Sequence, residues 1–339
     1  MGANRSFIPV IILFGPTASG KTELLERVFC NEHLKAEVIS ADSMQVYRGM
    51  DIGTAKPSPE ERARIPHHLI DIRNPDECFN AGEFTRLAEE ACFAAAGRGR
   101  LPVVSGGTGF YLKNLALGLT EAPPSDHEIR LILKEELSSR GAAFLMEELK
   151  RVDPVSAGRI HINDEYRLSR ALEVYRLTGQ PLSSYDSPWT RGSPAESPAR
   201  KSPDTRPFRF LLIGLRRNRE ELYRRINARA AAMFHAGLPA EVKRLFEAGY
   251  TPACPGLRAI GYREFFVEDG GWRLSEDIAG VQALVAQNSR RYAKRQITFF
   301  ASLPGVKWID CGSAPDDGFA DTAARVKREV ESFLKDRLY

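Results

Sequence analysis

The octapeptide GPTASGKT at residues 15–22 constrains the fold of this chain more than any other segment. It fits the pattern G-x-x-x-x-G-K-[ST] of a phosphate-binding loop. An apolar run (IPVIILF, 8–14) precedes it, and a helical pattern (KTELLERVF) follows it. Backbone amides, a helix amino terminus and a lysine charge together bind the oxygens of a phosphate chain. We therefore expect a strand, a loop and a helix that hold a diphosphate or a triphosphate.

The loop predicts its ligand better than its reaction. Lys21 supplies a point charge, and the Thr22 hydroxyl can hold Mg²⁺. An organic diphosphate would fit this loop as well as the tail of ATP, so the motif alone does not separate nucleotide chemistry from other uses of a phosphate chain. The candidate phosphate-binding residues are Gly15, Pro16, Thr17, Ala18, Ser19, Gly20, Lys21 and Thr22.

Apolar runs like the one before the loop recur along the chain, at residues 37–41, 101–105, 209–214 and 306–310. Runs that are rich in β-branched residues and lack alternation are typical of parallel strands buried on both faces. Helical patterns lie between most of them, for example over 21–31 and 82–97. Strands that alternate with helices indicate an α/β fold. The predicted class is a P-loop NTPase-like parallel sheet flanked by helices.

The alternation breaks between residues 121 and 200, where three helical patterns follow one another without a strand. This indicates an all-helical insertion that ends in a Ser- and Pro-rich segment, 187–207, whose composition is typical of a flexible link. Helical patterns return over 219–248 and 276–302. The predicted organisation is a first core part (1–120), the insertion (121–200), a second core part (208–315) and a C-terminal tail or helix (316–339).

Composition narrows the class of protein without selecting a function. The net charge of +4 and pI of about 8.8 permit a nucleic-acid partner but do not require one. The five cysteines are scattered and show neither metal-ligand nor redox-pair spacing, as expected in a reducing cytoplasm. The N-terminal apolar run is too short for a membrane span and is interpreted as a strand. We expect a cytoplasmic monomer without a membrane partner.

Two further strand ends carry polar groups. Asp42 follows the second apolar run, and Thr108 follows the third within SGGTGFYL, whose glycines allow close backbone approach to a ligand. Ser43 and Gln45 can offer hydrogen bonds beside Asp42. The carboxyl ends of parallel strands share one edge, so Lys21, Asp42 and Thr108 are predicted to converge on one site. The alternative for Asp42, a side chain that caps the next turn, stays open.

Several longer segments together resemble the tRNA dimethylallyltransferases, also called isopentenyl-tRNA transferases. These are ISADSMQVYRGMDIGTAKP with HHLID, GGTGFYL, DPVSAGRIHINDEYRLSRALEVYRLTG, NREELYRRI, RAIGYRE and YAKRQITFF, in the family's order between residues 8 and 310. The segment 187–207 and the chain after about 312 lie outside the resemblance. No Cys/His pair with zinc-finger spacing follows, so the chain resembles the shorter, bacterial form. His67 and His68 are interpreted as structural.

The resemblance implies a reaction in which dimethylallyl diphosphate alkylates N6 of adenosine 37 in tRNA and diphosphate leaves. It implies that Asp42 is the base, that Thr108 orients the amine and that Mg²⁺ binds through Thr22. Arg219 occupies the position resembling the family's diphosphate-binding arginine, although Arg216 or Arg217 could take that role.

The resemblance also implies a tRNA-binding set. Residues 278–309 contain no acid but five basic residues, four of which form the like-charged i,i+4 pairs Arg290/Lys294 and Arg291/Arg295. Such a face is either a phosphate-binding surface or a solvated one. The implied tRNA contacts are Asp42, Ser43, Met44, Gln45, Thr108, Arg130, Tyr166, Arg167, Leu168, Ser169, Arg170, Arg258, Ala259, Ile260, Gly261, Tyr262, Arg263, Arg291 and Arg295. We expect the helical insertion to grip the anticodon arm.

Two other functions stay open at this point. A P-loop kinase for small molecules would use the arginines at 216–229 as a lid over the phosphates. A non-catalytic P-loop RNA-binding protein would need no carboxylate among phosphate ligands, so Asp42 beside Thr108 argues against it.

Overall fold

A computed structural model of the chain describes residues 7–30, 34–118, 122–185, 208–312 and 318–335. The strands are β1 (Ile8–Phe14), β2 (Ala36–Ser40), β3 (His67–His68), β4 (Leu101–Gly106), β5 (Phe208–Arg216), β6 (Phe266–Glu268), β7 (Trp272–Leu274) and β8 (Lys307–Asp310). The α-helices are α1 (Lys21–Phe29), α2 (Pro59–Arg64), α3 (Ala81–Gly97), α4 (Gly109–Leu117), α5 (His127–Val152), α6 (Pro154–Ala157), α7 (Glu165–Thr178), α8 (Arg219–His235), α9 (Leu238–Glu247), α10 (Ile278–Phe300) and α11 (Gly318–Lys335).

The main sheet is parallel and six-stranded, in the order β3-β2-β4-β1-β5-β8. Ile11 of β1 pairs with Val103 of β4 on one side and with Leu211 of β5 on the other. Helices follow most of the strands, and the apolar strand residues are buried. The predicted α/β class is confirmed, and all five apolar runs are strands of this sheet. Their carboxyl ends share one edge, where the phosphate-binding loop lies.

The sequence patterns missed three short strands. β3 contributes only His67 and His68 to the edge of the main sheet, paired with Val38 and Ile39. His68 Nε2 lies 2.7 Å from a carboxylate oxygen of buried Glu37, and His67 Nδ1 lies 2.7 Å from the Ile65 carbonyl oxygen. These contacts agree with the structural interpretation of both histidines. β6 and β7 form a separate antiparallel hairpin.

The chain divides into two compact units, one comprising Met1–Ala116 with Ser202–Tyr339 and the other Leu117–Lys201. The second unit contains α5, α6 and α7. Its α5 changes direction at Gly141, where φ is +80°, so the two predicted helical patterns on either side of residue 141 are both present. Leucines of α5 and α7, among them Leu145 and Leu168, form a core within this unit.

The predicted link 187–207 lies outside the described residues. In the C-terminal region the structure has α11. Among the helices of the described ranges, none combines the length and apolarity that crossing a membrane would need.

Candidate active site

The phosphate-binding loop joins β1 to α1 and wraps around its own lysine. Lys21 Nζ donates hydrogen bonds to the carbonyl oxygens of Gly15 (2.9 Å) and Pro16 (3.1 Å). Ala18 and Gly20 have left-handed backbone angles, with φ of +62° and +103°. On α8, Arg225 donates from Nε to the Ala18 carbonyl oxygen at 2.9 Å. The loop therefore presents a cationic group at the carboxyl edge of the sheet.

Asp42 stands two residues beyond the end of β2. Its Oδ1 accepts a hydrogen bond from the Met44 amide at 2.9 Å, so the carboxylate shapes the local turn. Asp42 also lines two cavities beside the phosphate-binding loop. Asp42 can therefore cap the local turn and face a ligand in the cavities at the same time.

Thr108 is held next to Asp42 by the glycine-rich turn after β4. Its Oγ1 accepts from the Ser43 amide at 3.0 Å, and its amide donates to the Ala41 carbonyl oxygen at 3.1 Å. The approach requires glycine at 106, because a Cβ there would lie 2.1 Å from the Ala41 oxygen. The ends of β2 and β4 are therefore joined directly at the site.

Gln296 of α10 ties this turn to the phosphate-binding loop. The side chain is 5% exposed, its Oε1 accepts from the Thr17 amide at 2.9 Å, and its Nε2 donates to the Gly107 carbonyl oxygen at 2.8 Å. A Cβ at Gly107 would lie 2.6 Å from that Nε2. One buried amide thus fixes the spacing between the phosphate-binding loop and the Thr108 turn.

Two adjoining cavities open at this edge. The first, of about 510 Å³, is lined by Lys21, Thr22 and Gln45 together with Arg224 and Arg225 of α8. The second, of about 290 Å³, is lined largely by other residues, namely Ser43, Met44, Gly53, Thr54, Ile226, Ala230, Met233, Ala259, Ile260, Arg263, Val285, Ser289 and Arg295. Thr17, Asp42, Arg229 and Tyr292 line both. We call the first the cationic cavity because Lys21, Arg224 and Arg225 line it. The second also contains Arg263 and Arg295 but has the more apolar lining.

Thr17, Asp42, Arg229 and Tyr292, which line both cavities, form the shared wall of the site. The charges in and beside this wall shift one another's pKa values. Burial and, to a smaller extent, the Arg229 charge lower the pKa of Lys21 to about 8, while the Asp42 charge acts in the opposite direction. Burial also lowers the pKa of Arg229, against the attraction of Asp42. Burial and the Asp42 charge raise the pKa of Tyr292 to about 12. An anion bound beside Lys21 and Arg229 would counteract this lowering of the two pKa values and favour the protonated lysine.

Arg229 is a functional candidate that the sequence analysis included only within the possible kinase lid at 216–229 and did not single out. Arg219, the predicted position, is exposed in the first turn of α8, with its guanidinium 5.2 Å from the Tyr223 ring. Arg219 belongs to the lining of neither cavity in the described part of the chain. Arg229 lines both and faces Asp42. The sequence does carry a signal for it, because Arg225 and Arg229 flank the buried helical stripe of Leu222, Ile226 and Ala230.

The two alternatives to Arg219 also lie elsewhere. Arg216 is exposed, with its guanidinium 4.2 Å from the centre of the Trp308 ring. The Arg217 side chain is only 3% exposed and donates to the carbonyl oxygen of Ser19 at 3.3 Å. Arg217 therefore supports the phosphate-binding loop from outside the two cavities.

The implied tRNA-binding residues of the first unit separate into two groups. Ser43, Met44, Ala259, Ile260, Arg263 and Arg295 line the smaller cavity together with Asp42. Tyr262 is fully buried, and its hydroxyl donates to Glu241 at 2.6 Å, while Glu241 also accepts from the amides of residues 51–53. The Tyr262 side chain therefore anchors a loop instead of facing a ligand, because burial leaves it no free surface.

Arg258, Gly261 and Arg291 belong to the lining of neither cavity in the described part of the chain. Gly261 has φ of +98° and packs closely on Gly53. Arg258 is exposed and donates to the carbonyl oxygens of Pro252 and Ala253. Arg291 is exposed on α10, and Arg295 lies 5.6 Å from the Tyr292 ring.

In the second unit, the implied tRNA-binding residues also differ in exposure. Tyr166 is 66% exposed, and the Arg130 guanidinium lies 5.6 Å from its ring. Arg167 is exposed beside Asp164, whereas the half-buried Arg170 pairs with buried Glu173. Leu168 is fully buried in the leucine core, so packing explains its position, and Ser169 is half-buried beside it.

The fold and the loop together define an α/β protein in which the Lys21 loop and Asp42 line one cavity at the carboxyl edge of the parallel sheet. The model of the family described as IPP transferase matches residues 45–303. The chain belongs to this family, and the resemblance identified from the sequence is confirmed.

Relatives and solved structures agree with this assignment. A tRNA dimethylallyltransferase of Geobacter sulfurreducens is 45% identical over 301 residues, which cover 89% of this chain and 91% of the relative. One of Geobacillus kaustophilus is 42% identical over 328 residues, covering 96% and 97%. The solved tRNA isopentenylpyrophosphate transferase of Bacillus halodurans matches at TM-score 0.65 and 35% identity, over 97% of each chain. A eukaryotic dimethylallyltransferase captured acting on tRNA matches at TM-score 0.74 and 25% identity, over 97% of this chain and 80% of that one.

Proposed function

We propose that this chain transfers the dimethylallyl group of dimethylallyl diphosphate to N6 of adenosine 37 in tRNA and releases diphosphate. The observation that carries the proposal is the meeting of two cavities at Asp42 and Arg229, one of them lined by the phosphate-binding loop. A diphosphate ester can enter the cationic cavity while a base extruded from an anticodon loop enters the other. The two reacting atoms then meet at the shared wall.

The residues have distinct roles in this alkylation. The adenine N6 attacks C1 of the dimethylallyl group as the C1–O bond breaks, and the electron pair of that bond leaves with diphosphate. Asp42 takes the proton that N6 loses, and the Thr108 hydroxyl orients the amine. Lys21, Arg229 and the loop amides stabilise the charge that develops on the diphosphate. Product formation therefore needs the carboxylate within reach of N6 and the cations within reach of the diphosphate.

Mg²⁺ is the cofactor that we propose, held through Thr22. Thr22, Glu23 and Asp42 line the cationic cavity, and oxygen ligands are those that Mg²⁺ prefers. In the described ranges, no group of three or more His, Cys, Asp or Glu side chains could hold a metal ion. Mg²⁺ usually takes one or two protein ligands together with substrate phosphates and waters, and a bound ion would neutralise charge on the diphosphate. We further propose a monomer that works in the cytoplasm.

One assay tests the reaction itself. Purified protein is incubated with Mg²⁺, labelled dimethylallyl diphosphate and an unmodified tRNA carrying adenine at position 37, beside the same tRNA with guanine there. Label should enter only the first RNA. Phosphate release from ATP without labelling of RNA would instead favour a kinase or nucleotidase.

The pKa of Lys21 predicts how diphosphate binding depends on pH. Lys21 is protonated below about pH 8 and loses its charge as the pH rises through that value. Affinity for inorganic diphosphate should therefore fall by about tenfold between pH 7 and pH 9.5, the contribution of one charged contact. Titration calorimetry with Mg²⁺ across this range measures the effect.

Diphosphate itself titrates over part of the same range, so Lys21→Arg is the control. An arginine keeps its charge at all these pH values and should flatten the profile. An equally steep fall in Lys21→Arg would show that Lys21 does not cause the pH dependence.

The basic face of α10 predicts a salt dependence. Replacing exposed Arg291 and Arg295 by Gln should weaken tRNA binding and reduce the slope of log affinity against log salt by about 1.4 to 1.8, if each contacts one phosphate. Filter binding at several salt concentrations measures the slope. The matched control replaces Lys327 and Arg328, two exposed cations of α11, by Gln and should leave the slope unchanged. An unchanged slope in the α10 variant would mean that the basic face of α10 is exposed to solvent and does not contact tRNA phosphates.

A further inference from the structure

The C-terminal helix α11 contacts the phosphate-binding loop through one aromatic side chain. Phe319, the second residue of α11, lies outside the segments that carry the family resemblance. A Cβ built on Gly20 would lie only 2.2 Å from Cζ of the Phe319 ring. Gly20 is the residue before Lys21 and has φ of +103°. The tip of the ring therefore occupies the space beside the left-handed residue that ends the loop.

The same ring lies near two arginines that adjoin the loop. The Arg27 guanidinium is 5.9 Å from the ring centre and the Arg217 guanidinium 5.4 Å. Arg217 donates to the carbonyl oxygens of Ser19 and Gly312, both at 3.3 Å. Phe319 thus contacts Gly20 directly and lies beside Arg217, which donates to Ser19. Through these two neighbours it can restrict the two loop residues that precede Lys21.

The rest of α11 fixes the ring in place. Val326, Val330 and Phe333 are buried in the core cluster that includes Ile213 of β5 and Ile309 of β8. Arg325 donates to the Asp310 carbonyl oxygen at 3.1 Å. A side chain carried by a helix packed in this way is presented at a defined position, as the support of a binding loop requires.

We propose that Phe319 is a positioning residue for the diphosphate site, and that α11 thereby forms part of the binding apparatus. The ring limits the movement of Gly20 and Arg217, which keeps the amide and the ammonium group of Lys21 aligned for a diphosphate. This inference rests on the proposed function for the identity of the substrate. The loop geometry that it concerns can be measured with inorganic diphosphate alone.

The test compares two phenylalanines of the same helix. Phe319→Ala and Phe333→Ala each remove an aromatic ring from the same core, and Phe333 contacts Arg209 at 4.7 Å instead of the loop. Both variants should lose thermal stability. Only Phe319→Ala should weaken the binding of inorganic diphosphate with Mg²⁺ by about tenfold and raise KM for dimethylallyl diphosphate, with little change in kcat, because the loop is misplaced by a fraction of an ångström. Titration calorimetry, thermal unfolding and steady-state kinetics give these quantities.

Phe319→Leu separates positioning from loss of packing. Leucine keeps an apolar side chain in the core but lacks the ring atoms that reach Gly20, so its diphosphate affinity should fall nearly as far while its stability falls less. Wild-type affinity in the leucine variant, or equal losses in Phe319→Ala and Phe333→Ala, would overturn the proposal. A wild-type protein that binds diphosphate but does not label tRNA would contradict the proposed function and leave this comparison valid.

Discussion

Asp42→Asn is expected to lower kcat for tRNA prenylation by about two to four orders of magnitude, the usual contribution of a positioned base. Asparagine cannot take the N6 proton, yet its Oδ1 can still accept the hydrogen bond that the Met44 amide donates to Asp42. The turn after β2 should therefore persist. Single-turnover kinetics with labelled dimethylallyl diphosphate measures the loss, and a thermal unfolding midpoint close to that of the wild type verifies the fold.

Binding measurements add a second expectation to this variant. Asp42 faces Lys21 and Arg229, so its negative charge opposes a diphosphate in the same cavity. Affinity for inorganic diphosphate should be equal or higher in Asp42→Asn, and tRNA affinity should be nearly unchanged. A loss confined to kcat is the mark of an interaction made only in the transition state. Near-normal turnover would exclude Asp42 as the base.

The central strands could be predicted because a strand that is buried on both faces needs a nearly continuous run of apolar residues. β1, β4 and β5 are central in the sheet, and their unbroken apolar runs are visible without any knowledge of the fold. β3 has only two residues, both histidines, and depends on pairing with β2. No local sequence pattern predicts such a strand, because it forms only through its pairing with β2.

In the site, too, some residues follow from a local sequence pattern and others depend on tertiary packing. The position of Lys21, Asp42 and Thr108 at one edge of the sheet was predictable because each follows a strand, and the carboxyl ends of parallel strands share an edge. Gln296 reaches Thr17 across 279 positions of sequence, and nothing near residue 296 indicates which loop it will bind. Arg229 lies ten positions beyond the predicted Arg219 on α8. Only the direction in which α8 packs determines which of its arginines meets Asp42.

The geometry also gives the phosphate-binding loop a role that its motif does not specify. Arg229 and Asp42 line both cavities and Lys21 lines the cationic one, and burial lowers the pKa of both cations. The negative charge that develops on the diphosphate as the C1–O bond breaks favours the protonated form of Lys21 and interacts with the Arg229 guanidinium. The arrangement therefore suits a diphosphate that acts as a leaving group next to a base.

Replacing Arg229 by Gln is expected to lower kcat/KM for dimethylallyl diphosphate by about a hundredfold to a thousandfold. The guanidinium lines both cavities, where low exposure to water strengthens its interaction with a developing charge. Glutamine keeps a polar side chain of moderate length but removes the charge. Steady-state kinetics with saturating tRNA measures the loss, and calorimetry with inorganic diphosphate shows how much of it arises in binding.

Arg219→Gln is the matched comparison, because it removes the same charge from the same helix at the position that the sequence predicted. Arg219 is exposed beside Tyr223, so its loss should change kcat/KM by less than about threefold, as for most surface substitutions. A large loss in Arg219→Gln with a small one in Arg229→Gln would reverse the assignment and restore the sequence-based prediction. Large losses in both would mean that α8 moves its first turn toward the diphosphate during the reaction, since the two guanidinium groups have different surroundings in this structure.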